Sequence, residues 1–299
     1  MEPPPDDFAR VCRRTLLSRG IAASGLHCDT RGNRHLVLLD PPNGLVYRFP
    51  YSEPGAAEIG DVAIRHRAAA SLGLPAPQVI DVVTGGAGSA FLVLDYCPGL
   101  ALDTPAARRL VSDNTAEVAV HLNGLLDRLR NVDAAGWPLP FTAWADLWGA
   151  LPARLAGVAE RIPQLAFSLM MEAAERATLV SREAPLGLIH GDLGGVNVRI
   201  GDRAQLASVL DWDGSVPGDT AVDTAALLFG IPDACRQRML ADSPDARAEL
   251  DRFGAYRATW AAQGAIWSVE NDRPDILDDV VQRQLMSSRA PHRPRESLT

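Results

Sequence analysis

The stretch LIHGDLGGVNVRI, residues Leu188 to Ile200, breaks an apolar run with a histidine, an aspartate, an asparagine and three glycines. Apolar residues stand at both ends, so the polar centre reads as a loop held between two short buried segments. The chain then turns at GDRA (201–204) and continues as QLASVLDWDG (205–214), a strand that ends in Asp-Trp-Asp-Gly. Asp192 is followed five residues later by Asn197, and 14 residues after that by Asp211 at the tip of the returning strand. An ordinary hairpin with polar turn residues accounts for any one of these features. It does not account for their joint spacing.

Phosphoryl transfer from a nucleotide does. The acceptor hydroxyl needs a carboxylate to orient it and take its proton, and the cation bridging the phosphates needs hard oxygen ligands. In kinases an Asp, an Asn five residues on and an Asp on the next strand supply these. Asp192 is then the expected catalytic residue. Asn197 and Asp211 are the expected ligands of Mg2+, with Gly194 and Gly195 permitting the tight curvature between them. Because this chemistry is mostly positioning and electrostatics, the set is nearly the whole apparatus. His190 is expected to brace the loop rather than to react. In PGDTAVDTAALL (217–228) Asp219 suits a helix cap, and Asp223 on that helix can brace the loop.

Upstream, the first 99 residues read as strand-rich. LVLLD (36–40) and LVYRF (45–49) flank PPNG, which predicts a hairpin. SGLHC (24–28) reads as the strand before it. The alanine-rich AAEIGDVAIRHRAAASLG (56–73) predicts a helix ending at glycine, and LPAPQVIDVV (74–83) and SAFLVLDY (89–96) predict two more strands. The order of strands, helix and strands is that of an α+β unit. The Pro-Gly break in DYCPG (95–99) marks a boundary, after which helical spacing dominates. Residues 115–131, 165–183 and 251–271 are each expected to form one helix. RAPHRPRESLT (289–299) reads as a frayed tail.

Composition narrows the setting. A chain of 299 residues with 47% hydrophobic and 22% charged residues is long enough for two units with a sizeable core. All 29 basic residues are arginine, so any role that needs a cation falls to arginine. Residues 1–99 hold 10 acids and 9 arginines, whereas residues 100–299 hold 27 acids and 20 arginines. An acidic larger half argues against a nucleic-acid partner and is compatible with a cationic ligand. Cys12, Cys28, Cys97 and Cys235 are too scattered for a metal knuckle or a redox pair, which fits a reducing cytoplasm. No secretory signal and no membrane span are expected.

HGDLGGVN (190–197), VLDWDGSVPGDTAVDTAAL (209–227), VYRFP (46–50), LGLPAPQVI (72–80) and FLVLDYCPG (91–99) together resemble the aminoglycoside phosphotransferase and choline kinase superfamily. The resemblance implies an α+β, protein-kinase-like two-lobe fold. A small β-rich N-lobe would span residues 1–96 and a large helical C-lobe residues 97–299. It places Arg48 where a basic residue holds the nucleotide phosphates, although the family position normally carries lysine, and arginine is not a neutral swap. Asp61, or Glu58 one turn earlier, would be its acidic partner. DTRGN (29–33), with Gly32 and Asn33, would cover the phosphates, and Asp95 to Cys97 would form the hinge against the base. The phosphate donor would be ATP or GTP, with Mg2+.

The narrower resemblance, in HGDLGGVNV with DWD, is to viomycin and capreomycin phosphotransferases. It implies a cationic cyclic-peptide antibiotic of the tuberactinomycin type as acceptor, and antibiotic resistance as the outcome. Aminoglycosides and macrolides are the alternatives. Asp213, next to the metal site and without a strand partner, is the leading residue for the acceptor wall, followed by Glu270 and Asp272. Trp260 and Trp267, seven apart, share one helix face and are expected in the core. The alternative of another class is a catalytically silent kinase fold used as a binding module. The complete Asp192, Asn197 and Asp211 set speaks for the enzyme; Arg48 and the irregular glycine loop speak for the module. The Asp-Trp pair and the lack of an A-P-E segment speak against a protein kinase.

Overall fold

The computed structural model describes residues 6–23, 25–29 and 34–289. After helix α1 (Asp6–Ser18) the chain builds an antiparallel sheet from β1 (His27–Asp29), β2 (His35–Asp40), β3 (Leu45–Pro50), β4 (Val79–Val83) and β5 (Phe91–Asp95), in the order β1-β2-β3-β5-β4. The PPNG hairpin forms as read. Pro41–Asn43 make one turn of 3-10 helix, and Gly44 takes the left-handed φ of 68° that glycine adopts freely. Between β3 and β4 lie α2 (Glu53–Ala57) and α3 (Ile59–Ser71). The single helix expected over 56–73 is thus two. Ser52 caps the first by accepting from the Gly55 N–H at 3.3 Å, and the second closes at Gly73, φ +72°. The strand expected at 24–28 begins only at His27, and Ser24 lies outside the described residues.

Strand alternation sorts the sheet into two faces. Tyr47 and Phe49 of β3 and Phe91 and Val93 of β5 pack with Cys12 and Leu16 of α1. Val46 of β3 and Leu92 and Leu94 of β5 pack with Ile59, Val62 and Ala63 near α3. Arg48 falls on this second face, opposite Val37 of β2 and Leu92 of β5.

The rest of the chain is largely helical. It runs through β6 (Leu100–Ala101), α4 (Pro105–Asp113), α5 (Thr115–Arg130), α6 (Trp144–Gly149), α7 (Leu151–Ala156) and α8 (Gln164–Glu183). Four short strands follow: β7 (Gly187–Ile189), β8 (Val198–Ile200), β9 (Leu206–Val209) and β10 (Val216–Gly218). Then come α9 (Ala221–Gly230), α10 (Asp233–Asp242), α11 (Pro244–Ala258), α12 (Trp260–Glu270) and α13 (Pro274–Arg289). β7 pairs with β10, and β8 lies between β6 and β9. The helix expected over 251–271 is divided at Thr259, whose N–H and hydroxyl both turn back to the Tyr256 carbonyl. No helix among the described residues is long and apolar enough to cross a membrane.

The apolar residues that frame the LIHGDLGGVNVRI loop root it in the core. Leu188, Leu193, Val198, Ile200 and Val209 are fully buried with Leu122, Leu125 and Leu126 of α5 and Leu227 and Leu228 of α9. The polar residues between them are thereby lifted to the surface of that core, facing the sheet.

Candidate active site

Residues 190–197 join β7 to β8, and their shape is imposed from three sides. Asp223, in the first turn of α9, accepts from the backbone N–H of His190 and, at 3.0 Å, of Gly191. It is buried, and burial pushes its carboxyl above the usual range while these backbone donors pull it down. The His190 ring meets Trp212 edge to face at 4.8 Å. Its Nδ1 accepts from the Asp192 N–H at 3.2 Å, so its Nε2–H is the donor to the Leu210 carbonyl at 2.8 Å. That is the bracing histidine expected from the sequence, in one defined neutral tautomer.

Asn197 closes the loop. Its Nδ2 donates to both the Asp192 carbonyl and Asp192 Oδ2 at 2.9 Å. Its amide oxygen is then what remains for a cation. Asp211 follows β9 in the left-handed conformation, φ 64°, which swings its side chain out of the strand line; that side chain is 44% exposed. Asp219 caps α9 through the Ala221 N–H at 3.0 Å, and it also takes Arg252 and the Tyr256 hydroxyl.

Between the sheet and this loop lies a cleft of about 550 Å³. Val37, Leu39, Val46 and Leu94 line it from the sheet and Leu210 from the other side, with Asp95 and Cys97 at the connection. Asp192, Asn197, Asp211 and Arg48 all line it too, so the residues expected to act together are brought to one cavity. Gly32 and Asn33 lie outside the described residues.

Arg48 is almost wholly buried, and its partners are not those expected. Nη1 donates to Asp213 Oδ1 at 2.9 Å, and Nη2 to Asp213 Oδ2 at 3.0 Å and to Asp211 Oδ1 at 2.9 Å. Glu58 and Asp61 are exposed on the outer side of their helices. The side chain that α3 does present is His66, 3.4 Å from Nη1 and 3.3 Å from Asp213 Oδ1. His35 of β2 completes the group, with Nδ1 3.2 Å from Arg48 Nη2. Burial alone would pull the guanidinium pKa down, but the two carboxylates more than reverse this. Burial likewise opposes the charge on Asp213, yet Arg48 and the histidines hold it well below the carboxylate range. His35 is lowered to about 4, by burial first and then by Arg48. Neither histidine was singled out by sequence. Their only signal is a histidine at each place where strand or helix faces Arg48.

The residues expected for the acceptor wall do not line this cleft. Asp213 is buried against Arg48 and does not line the cleft. Glu270 pairs with Arg154 of α7, and Asp272 sits in the turn between α12 and α13 with φ 50°; neither lines the cleft. Trp260 and Trp267 do share a face, but it is the outer one, and they are 60% and 47% exposed. The inner face of α12 is Ala262, Ala265 and Ile266. Trp260 ends a run of rings that reaches the 190–197 loop. Its ring is 6.2 Å from Phe253, which is 6.1 Å from Phe229, and the next residue, Gly230, packs on Gly195.

Among the described residues no cluster of three His, Cys, Asp or Glu side chains is placed to hold a metal unaided. The available set is oxygen-only and sparse, which suits a cation that takes most of its remaining ligands from phosphates and water.

An antiparallel sheet set over a helical region, with this cleft between them, is a kinase-like α+β fold. The chain belongs to the phosphotransferase enzyme family, whose model matches residues 29–262. It is 29% identical over 244 residues to viomycin phosphotransferase of Streptomyces vinaceus, covering 76% of this chain and 79% of that protein. It is 26% identical over 217 residues to mouse acyl-CoA dehydrogenase family member 10, covering 67% of this chain; there it spans only 19% of the relative's length. The fold superposes on the GDP complex of aminoglycoside 2'-phosphotransferase-IIIa with a TM-score of 0.73 at 14% identity, covering 95% of this chain and 99% of that one.

Proposed function

We propose that this protein transfers the γ-phosphoryl group of ATP or GTP, with Mg2+, to a hydroxyl of a cationic antibiotic, most readily a tuberactinomycin peptide such as viomycin or capreomycin. The observation that carries the reading is the convergence of Asp192, Asn197, Asp211 and Arg48 on one cleft. In this reading residues 1–96 act as the nucleotide-binding lobe and residues 97–299 as the catalytic and acceptor-binding lobe. Asp192 orients the acceptor hydroxyl and takes its proton. Asn197 and Asp211 would hold Mg2+ through their oxygens, and the ion would supply positive charge against the phosphates. Arg48 presents its guanidinium to the phosphates. The base enters between Val37, Leu39 and Val46 on one side and Leu210 on the other, against the backbone of Asp95 to Cys97. The likeness in fold to a phosphotransferase solved as its GDP complex supports a nucleotide in this cleft.

The acceptor side of the proposal rests on the likeness to viomycin phosphotransferase, on the acidic larger half, and on the ring series Phe229, Phe253 and Trp260. Aromatic faces hold cations and apolar ring edges alike. Four free thiols, two of them buried, support a reducing cytoplasm as the setting. The test is phosphate transfer to viomycin, capreomycin, kanamycin and erythromycin, each with ATP and with GTP at fixed salt. Transfer to either peptide well above the other two supports the reading. Transfer to erythromycin alone removes the cationic acceptor, and transfer to none of the four with either donor removes the antibiotic.

A further inference from the structure

The two acids nearest Arg48 do different things. Asp211 reaches it with one oxygen, is 44% exposed and lines the cleft. Asp213 reaches it with both oxygens, is 11% exposed and does not line the cleft. Resting on the reading that Arg48 meets the nucleotide phosphates, we propose that Asp213 is its positioning residue. Asp213, steadied by His66 and His35, fixes the guanidinium from behind and takes the place of the acid expected on the helix after β3.

The geometry accounts for each participant. Parallel N–H donors from Nη1 and Nη2 to the two Asp213 oxygens make a planar fork that fixes the orientation of the group as well as its position. A lysine has one donor atom and no such fork, so arginine at 48 and aspartate at 213 specify each other. His35 Nδ1 can face Arg48 only as an acceptor, so its ring is neutral and its Nε2–H lies toward Asp213 Oδ2, at 3.8 Å. His66 places its Nε2 3.3 Å from Asp213 Oδ1, and its Nδ1 has no partner among the described residues. The same Nε2 lies 3.4 Å from Arg48 Nη1, so His66 touches both members of the pair. His35 directs its Nε2–H toward the carboxylate without adding a second cation, and His66 packs its Nε2 against both Asp213 and Arg48. Asp211 can then turn to a metal without releasing Arg48, because the fork to Asp213 persists. The Nη2 hydrogen shared by Asp211 and His35 becomes the one available to a phosphate.

The experiment measures binding of ADP and GDP, with and without Mg2+, alongside steady-state kinetics on whichever acceptor the panel identifies. Asp213→Asn and Arg48→Lys are each expected to weaken nucleotide binding by about tenfold or more, equally with and without Mg2+. The acceptor KM should stay unchanged. Arg48→Ala with Asp213→Ala should bind no more weakly than Arg48→Ala alone, because the two side chains act as one unit. A loss seen only with Mg2+ would make Asp213 a metal ligand and overturn the proposal. So would a raised acceptor KM with nucleotide binding intact, or additive losses in the double variant. Wild-type nucleotide binding in Arg48→Ala would instead remove Arg48 from the phosphates and take the parent reading with it. Should Asp213→Asn not fold, His66→Leu and His66→Gln decide. Loss of nucleotide affinity in the first and recovery in the second supports the proposal, and equal affinity in both overturns it.

Discussion

Asp192 sits on a loop whose shape is dictated by its neighbours. Its N–H is taken by His190, its carbonyl and one carboxylate oxygen by Asn197, and the loop beneath by Asp223. Removing its carboxylate therefore leaves the loop's other restraints in place. Asp192→Ala is expected to lower kcat by about 10²–10⁴-fold, the usual worth of a general base. Nucleotide affinity and melting temperature should stay near wild type, checked by turnover, nucleotide titration and thermal unfolding. Retention of more than a few per cent of the rate would exclude the assigned role. At this scale the sequence is legible where the information is local. The Asp192 to Asn197 interval and the bracing histidine follow from residues within one loop and its return strand. The partner of Arg48 does not, because it arrives from 165 residues away and no spacing rule reaches that far.

Among the elements, α9 is the one on which the site stands. Asp223→Ala would leave the buried N–H of His190 without an acceptor, at about 1–3 kcal/mol, and free the more exposed N–H of Gly191. Lower stability in denaturant unfolding is expected, with amide exchange rising first at residues 190–193. Behind α9, Glu249 of α11 is buried and accepts from Thr220 and Thr224 while pairing with Arg130 of α5 at 2.7 Å. Burial opposes its charge, but these donors win and hold its carboxyl below the ordinary glutamate value. A depressed carboxyl contributes stability that is complete above its unfolded pKa and is lost as pH falls through the folded one. Glu249→Gln should cost about 3–5 kcal/mol at neutral pH, as breaking one side of a buried pair does. The deficit relative to wild type should begin to shrink as pH falls below the ordinary glutamate value of about 4.3, and vanish only below the depressed folded one. Urea midpoints measured from pH 3 to 7 check this. Element type was readable from periodicity, but orientation was not. The i, i+7 spacing of Trp260 and Trp267 correctly gives a common face of α12, and only packing against α7, α8 and α13 shows that face to be the outer one.

For the whole molecule the separation of charge matters most. A larger half with 27 acids against 20 arginines attracts a polycation over distances that salt screens, the Debye length being about 10 Å at 0.1 M. For a tuberactinomycin acceptor the KM is expected to rise about threefold to tenfold between roughly 0.02 and 0.3 M salt. The kcat should change less. A salt-independent KM would count against electrostatic recruitment. The connection between sheet and helices sets a second property of the whole. On one side Tyr96 is tied by its N–H to the Gly44 carbonyl at 2.8 Å, and on the other Leu100 and Ala101 are paired into β8. Gly99 packs so closely on Ile200 that a side chain there would collide with its carbonyl. What is left to move is Cys97 and Pro98, and the ring of Pro98 locks its φ. The sheet is held to the helical part elsewhere too, by the Val209 N–H to the Pro75 carbonyl at 2.7 Å, by Arg48 to Asp213, and by Leu74, which shares the core of α5. Pro98→Gly would therefore loosen one tie among several, and the cleft would keep its width as long as Arg48 stays clasped to Asp213.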